Sequence, residues 1–173
     1  MGQFGKKETR ALPAYFERDQ VGGLSHLLRH AKLGDLGQYK QELVRLYDQD
    51  YADSCIMGLA LLLEKDQDKL KRLDELAPGH PPRSNKLDQR LLSLLIFRAM
   101  VPILAHPNLA ALLIPGERTR ERALNYMQAI YRPAQRHGEK YIASLEGKRL
   151  LHEGEITDED IDRWQRGEID FFD

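Results

Sequence analysis

The chain has 173 residues, 42% of them hydrophobic, with 26 Lys/Arg against 27 Asp/Glu and a formal net charge of -1. That length suits one domain with a sizeable core, and the even charge excludes a protein that coats nucleic acid by bulk charge alone. Cys55 is the single cysteine, which excludes an intramolecular disulfide and a cysteine-built zinc site and fits a reducing compartment.

Apolar residues recur at helical rather than strand spacing for most of the length. Asp19 is placed to cap a first helix in which Leu24, Leu27, Leu28 and Ala31 share a face. Gly34-Asp35 breaks it, and Leu36, Tyr39, Leu43, Leu46 and Tyr47 mark a second helix. A third is expected from about Tyr51 to Glu64, with Cys55, Ile56, Leu59, Ala60, Leu62 and Leu63 apolar over a wide arc. Leu70, Leu73 and Leu76 continue the pattern to Ala77. Pro78-Gly79-His80-Pro81-Pro82 then forbids helix.

Ser84 or Asn85 can cap the next helix, which is apolar nearly all round between Leu91 and Val101 and therefore belongs in the middle of the core. Leu59, Leu91 and Leu95 are expected to be nearly inaccessible. Pro102 should kink or end that helix. Ile103 to Ile114, interrupted by His106-Pro107, predicts a short buried helix closed by Pro115-Gly116. Glu117 to Tyr131 predicts another, with Ala123, Leu124, Met127 and Ile130 facing in. Pro133 is placed to open a further helix at its first position, running to about Leu151 and ending near Gly154. Thr157-Asp158-Glu159-Asp160 has the form of a capping box, with Asp for the usual Glu. Ile161 and Trp164 follow on one side, and Gly167 is a natural stop.

The expected fold is therefore all-α, an irregular bundle of about seven or eight helices ending in a short acidic helix and tail. The chain divides into a basic N-terminal arm (1–18), a helical domain (19–154) and an acidic aromatic tail (155–173). Met1 to Lys7 lack the apolar core of a signal peptide. Leu91 to Leu104 is shorter than the roughly 20 residues of a membrane span and carries Ser93, Arg98 and Pro102. The expectation is a cytoplasmic protein without a membrane partner.

The even net charge hides a segregation. Residues 81–150 carry twelve Lys/Arg against five Asp/Glu, and residues 151–173 carry two against nine. Such asymmetry points to nucleic-acid contact or an interaction tail. In the basic block, Arg118, Arg120, Arg122, Arg132, Arg136 and Lys140 are interleaved with Tyr126, Tyr131 and Tyr141. Arginine pairs with phosphate and tyrosine stacks on bases, so Arg118, Arg120, Arg122, Tyr126, Arg132, Arg136 and Lys140 are the candidate nucleic-acid or anion contacts. In the tail, acids surround Ile161, Trp164, Ile169, Phe171 and Phe172. These five are the candidate anchors for a protein partner, since apolar groups at a terminus must dock somewhere or stay exposed.

Metal and nucleophile chemistry find little support. His26 and His30 stand at i, i+4 with Leu27 where a zinc protease needs Glu, and no third ligand follows. Asp48, Asp50 and Asp53 fail as a calcium loop, because Asp53 occupies the place of the obligatory glycine. Cys55 belongs to an apolar arc, where free cysteine behaves as a small hydrophobe. Arg98 interrupts the most apolar helix and, if buried, requires a partner. No cofactor is expected. Arg132-Pro133-Ala134-Gln135-Arg136-His137 resembles the Arg-x4-6-His motif of the HEPN helical ribonucleases. The resemblance covers those six residues, implies a role for Arg132 and His137 in RNA cleavage, and departs from the pattern at Pro133, where a polar residue is usual.

The expected function is a non-enzymatic helical interaction or regulatory protein that uses the acidic aromatic tail and the basic Arg/Tyr surface. A nucleic-acid-binding protein is the alternative, and a small helical ribonuclease of the HEPN kind the second.

Overall fold

The structure, a computed structural model, describes Phe16 and residues 18–64, 89–144 and 157–169. The described residues form seven helices and no strand: α1 (Arg18–Arg29), α2 (Leu36–Leu46), α3 (Gln49–Leu62), α4 (Gln89–Ala105), α5 (Pro107–Leu113), α6 (Glu117–Ala143) and α7 (Asp158–Gln165). The expected helix through Leu70 to Ala77, the Pro78–Pro82 break, the Ser84/Asn85 cap and the side chain of Leu91 lie outside the described residues.

At the centre α3 packs along α4. Both are apolar on nearly every side, and from Ala52 to Leu62 every residue of α3 is buried. Leu59 and Leu95 are inaccessible, as expected. The two backbones meet at Gly58, where a β-carbon would collide with the Leu95 carbonyl oxygen and the Ala99 methyl. Around this pair, α1 packs on α3 and α6, α2 on α3 and α5, α6 on α4, and α7 on α2. Phe16, in the expected basic arm, is buried in the core and lies 6.5 Å from Phe97 between ring centres.

The helix ends follow local chemistry. Asp35 caps α2 by accepting from the Gln38 N–H, and Asp48 caps α3 by accepting from the Tyr51 N–H. Helix α1 starts at Arg18, so Asp19 falls within its first turn rather than at its cap. Pro102 does not end α4, which continues to Ala105 before the chain turns by 115° into α5. Pro107 opens α5 at its first turn. Thr157 and Asp160 form the anticipated capping box, each accepting from the other's backbone N–H at 3.1 and 3.0 Å. Gly167, at φ 78°, follows the end of α7 in the left-handed region that glycine adopts without strain.

One expected helix boundary is overturned as well. Pro133 opens no new helix: α6 runs unbroken for 27 residues from Glu117 to Ala143. Proline removes the hydrogen bond to the carbonyl four residues earlier, here that of Ala129. Ala129 and Pro133 both face solvent, where water can satisfy that carbonyl. The inward stripe Ala123, Met127, Ile130, Ala134 and Gly138 is buried throughout and passes the proline without interruption. Packing of that stripe holds the helix together across Pro133.

Candidate anion-binding surface

Because α6 is continuous, its charged residues share one helical phase. At about 100° per residue, Arg118, Arg122, Arg132, Arg136 and Lys140 fall within roughly 80° of arc, opposite the buried stripe. All five are exposed, and none makes an ion pair among the described residues. With a rise of about 1.5 Å per residue the strip is roughly 33 Å long. Asn125 and Ala129 occupy its middle and leave two cationic clusters, Arg118/Arg122 and Arg132/Arg136/Lys140. Breaking the chain at Pro133 hides this alignment from the sequence; carrying the helical phase through the proline reveals it.

Two expected contacts are turned to structural tasks. Arg120 reaches back to the end of α5 and donates to the Ile114 and Pro115 carbonyls at 3.0 and 3.1 Å. Tyr126 donates to the Gln20 carbonyl of α1 at 3.1 Å, with its ring end over Gly23. The neighbouring tyrosines also serve the core. Tyr131 stacks on Phe97 at 5.2 Å, and burial followed by its interaction with Glu139 raises its pKa. Tyr141 packs against the core as well.

The described tail anchors pack on their own domain. Ile161 is 0% exposed within the core. Trp164 and Ile169 are half-buried and line a groove of about 620 Å³ with Leu33, Leu36, Ala60 and Leu63. Hydrogen bonds from Thr157 hold the Asp160 carboxyl below its ordinary range, with Arg163 and Lys40 acting in the same sense. Phe171 and Phe172 lie outside the described residues. The strip cations on α6 stay exposed with α7 in place.

The other chemistry-bearing groups are absorbed by the fold. Asp53 forms a buried ion pair with Lys40 at 3.4 Å and accepts from Gln49 at 3.1 Å. The Cys55 thiol is fully buried and its pKa is pushed far up by desolvation, so it stays protonated. Arg98 is met by the Tyr51 ring, 4.3 Å below its guanidinium, and by the Ser54 hydroxyl at 3.3 Å, while its buried Nε has no hydrogen-bond partner among the described residues. His26 and His30 are exposed, and the His30 ring nitrogen Nδ1 lies 2.8 Å from the His26 carbonyl. Among the described residues no three His, Cys, Asp or Glu side chains are grouped to hold a metal ion, and no single helix is long and apolar enough to cross a membrane. Positions 132 and 137 of the ribonuclease-like motif lie on one helix, α6, and the side chain of His137 lies outside the described residues. Comparison with protein-family models, with curated proteins and with solved structures returns no match.

Proposed function

We propose that this is a non-enzymatic helical interaction protein whose working surface is the basic strip of α6 and whose partner is a polyanion. The observation that carries the proposal is the alignment of Arg118, Arg122, Arg132, Arg136 and Lys140 on one exposed face without carboxylate partners among the described residues. A solvated helix face normally intersperses both signs and pairs them at i, i+4. Here Glu121 and Glu139 sit to one side of the strip, and the charged residues at the centre of the face are all cations. Fixed on a helix that the core holds rigid, the five charges act together on an extended anion. The acidic tail enters as a cover of α2 and the neighbouring groove, and its charge keeps the whole molecule near neutrality, so attraction is confined to one face.

The test is retention on immobilised heparin at low salt. Wild-type protein should be held and a variant with all five cations replaced by glutamine should flow through, the two melting at the same temperature. Flow-through of the wild type at about 50 mM salt, where multiple phosphate-like contacts bind strongly, would overturn the proposal.

A further inference from the structure

Resting on that reading, we infer that the ligand of the α6 strip is double-stranded nucleic acid, held by the phosphates of both strands and without base stacking. Three features of the strip select this class of polyanion. Single strands are bound on aromatic platforms flanked by cations. Of the three tyrosines of the basic block, Tyr131 is stacked on Phe97 and Tyr141 is packed on the core, while Tyr126, one turn beyond Arg122 at the edge of the strip, is held by its hydroxyl on the Gln20 carbonyl. Among the described residues, each tyrosine of the basic block is thus already engaged by the fold.

Anionic membranes and acidic protein partners are bound with apolar anchors beside the charges. Between and around the five cations stand Asn125, Gln128, Ala129, Pro133 and Gln135, with Glu121 and Glu139 along one edge and the half-buried Tyr126 at the other, and the exposed large hydrophobic residue among the described ones, Leu46, lies on α2. The strip therefore has nothing to insert into lipid or into a protein pocket.

The spacing supplies the third feature. Within each cluster the cations are four residues apart, about 6 Å along the axis, and about 15 Å separates Arg122 from Arg132. Consecutive phosphates of one strand advance about 3.4 Å along a duplex. Duplex grooves are about 6 and 12 Å wide before their phosphates are added. A gap of about 15 Å bridged by long, mobile side chains matches a groove with its bordering backbones. Laid across the groove, α6 sets Arg118 and Arg122 on one strand and Arg132, Arg136 and Lys140 on the other. The neutral Asn125 and Ala129 then stand over the groove itself.

Fluorescence anisotropy with labelled duplexes of roughly two helical turns, one DNA and one RNA, and with the separate strands of each, tests this. Co-sedimentation with phosphatidylserine-containing vesicles runs in parallel. At equal ionic strength at least one duplex should bind roughly tenfold tighter than its single strands, as five phosphate contacts on fixed positions require. The two duplexes distinguish deoxyribose from ribose backbones as the source of the phosphates. Glutamine at Arg118 and Arg122 should lower the salt slope by about two units, and at Arg132, Arg136 and Lys140 by about three. Single strands binding as well as duplexes, or vesicles sedimenting the protein while duplexes do not bind, would overturn the inference and leave the polyanion reading standing. Failure to bind any of these or heparin would remove both.

Discussion

The thiol of Cys55 donates to the carbonyl oxygen of Arg98 at 3.2 Å. That carbonyl lies four residues before Pro102, and proline has no N–H to give it. A buried carbonyl without a donor is costly, so the cysteine on α3 supplies to α4 what the proline withholds. The same pair of helices carries the Arg98 contacts with Tyr51 and Ser54. Cysteine, proline and arginine form one arrangement at the centre of the molecule.

Alkaline solution should expose the state of that thiol. Burial raises the pKa of Cys55 above its ordinary value of 9.0 and raises those of Tyr39 and Tyr51 above 10.0. The folded chain therefore holds protons that the unfolded chain releases first. The stability these groups contribute is fully present below about pH 9 and declines as pH rises beyond it. Melting temperature measured from pH 7 to 11 should be level at first and then fall. Cys55→Ala should delay the onset of the fall, and a thiol reagent at pH 8 should modify Cys55 only in denaturant.

Two glycines in neighbouring helices should respond oppositely to alanine. Gly58→Ala places a methyl against the Leu95 carbonyl and Ala99 and should cost about 1–3 kcal/mol, the range for overpacking a core. Gly22 is exposed on α1 with nothing within 4 Å of a new β-carbon. Gly22→Ala should stabilise by up to about 1 kcal/mol through helix propensity. Urea denaturation of both variants checks the contrast.

Lys40 and Asp53 are each 6% exposed in their side chains. Lys40→Met leaves a buried carboxylate without its cation and should cost about 3–5 kcal/mol, whereas Lys40→Met with Asp53→Leu should recover most of that loss. Chemical denaturation of the single and double variants measures the difference. An equal loss in both would mean that packing, not charge, holds this site.

Ile161 makes α7 part of the core. Ile161→Ala should lower stability by about 2–5 kcal/mol, the range for truncating a large buried aliphatic side chain. Unchanged stability in urea would mean that α7 leaves its seat in solution and is free to dock elsewhere.

The sequence made most helices legible because their signals are local. Thr157 and Asp160 are three residues apart and cap each other, and the apolar arc of α3 is contiguous. What escaped depended on distant partners. Lys40 reads as polar and is buried because Asp53 meets it. Leu46 continues the α2 stripe yet is 37% exposed, at the last residue of the helix. Arg120 and Tyr126 look like members of the basic surface and are drawn off by carbonyls of α5 and α1. Pro133 reads as a boundary, and only the packing of Ala134 and Gly138 beyond it shows the helix continuing. The strip was present in the sequence as residue types and became a surface once that continuity aligned them.

The most direct test of this account is the salt dependence of polyanion binding by the wild type and the five-glutamine variant. The logarithm of the wild-type association constant against that of salt concentration should fall with a slope of about -4 to -5, from five cation contacts at about 0.9 each. The variant should bind weakly with a slope near zero while melting at the wild-type temperature. A variant that keeps the wild-type slope would place the contacts elsewhere and contradict the account.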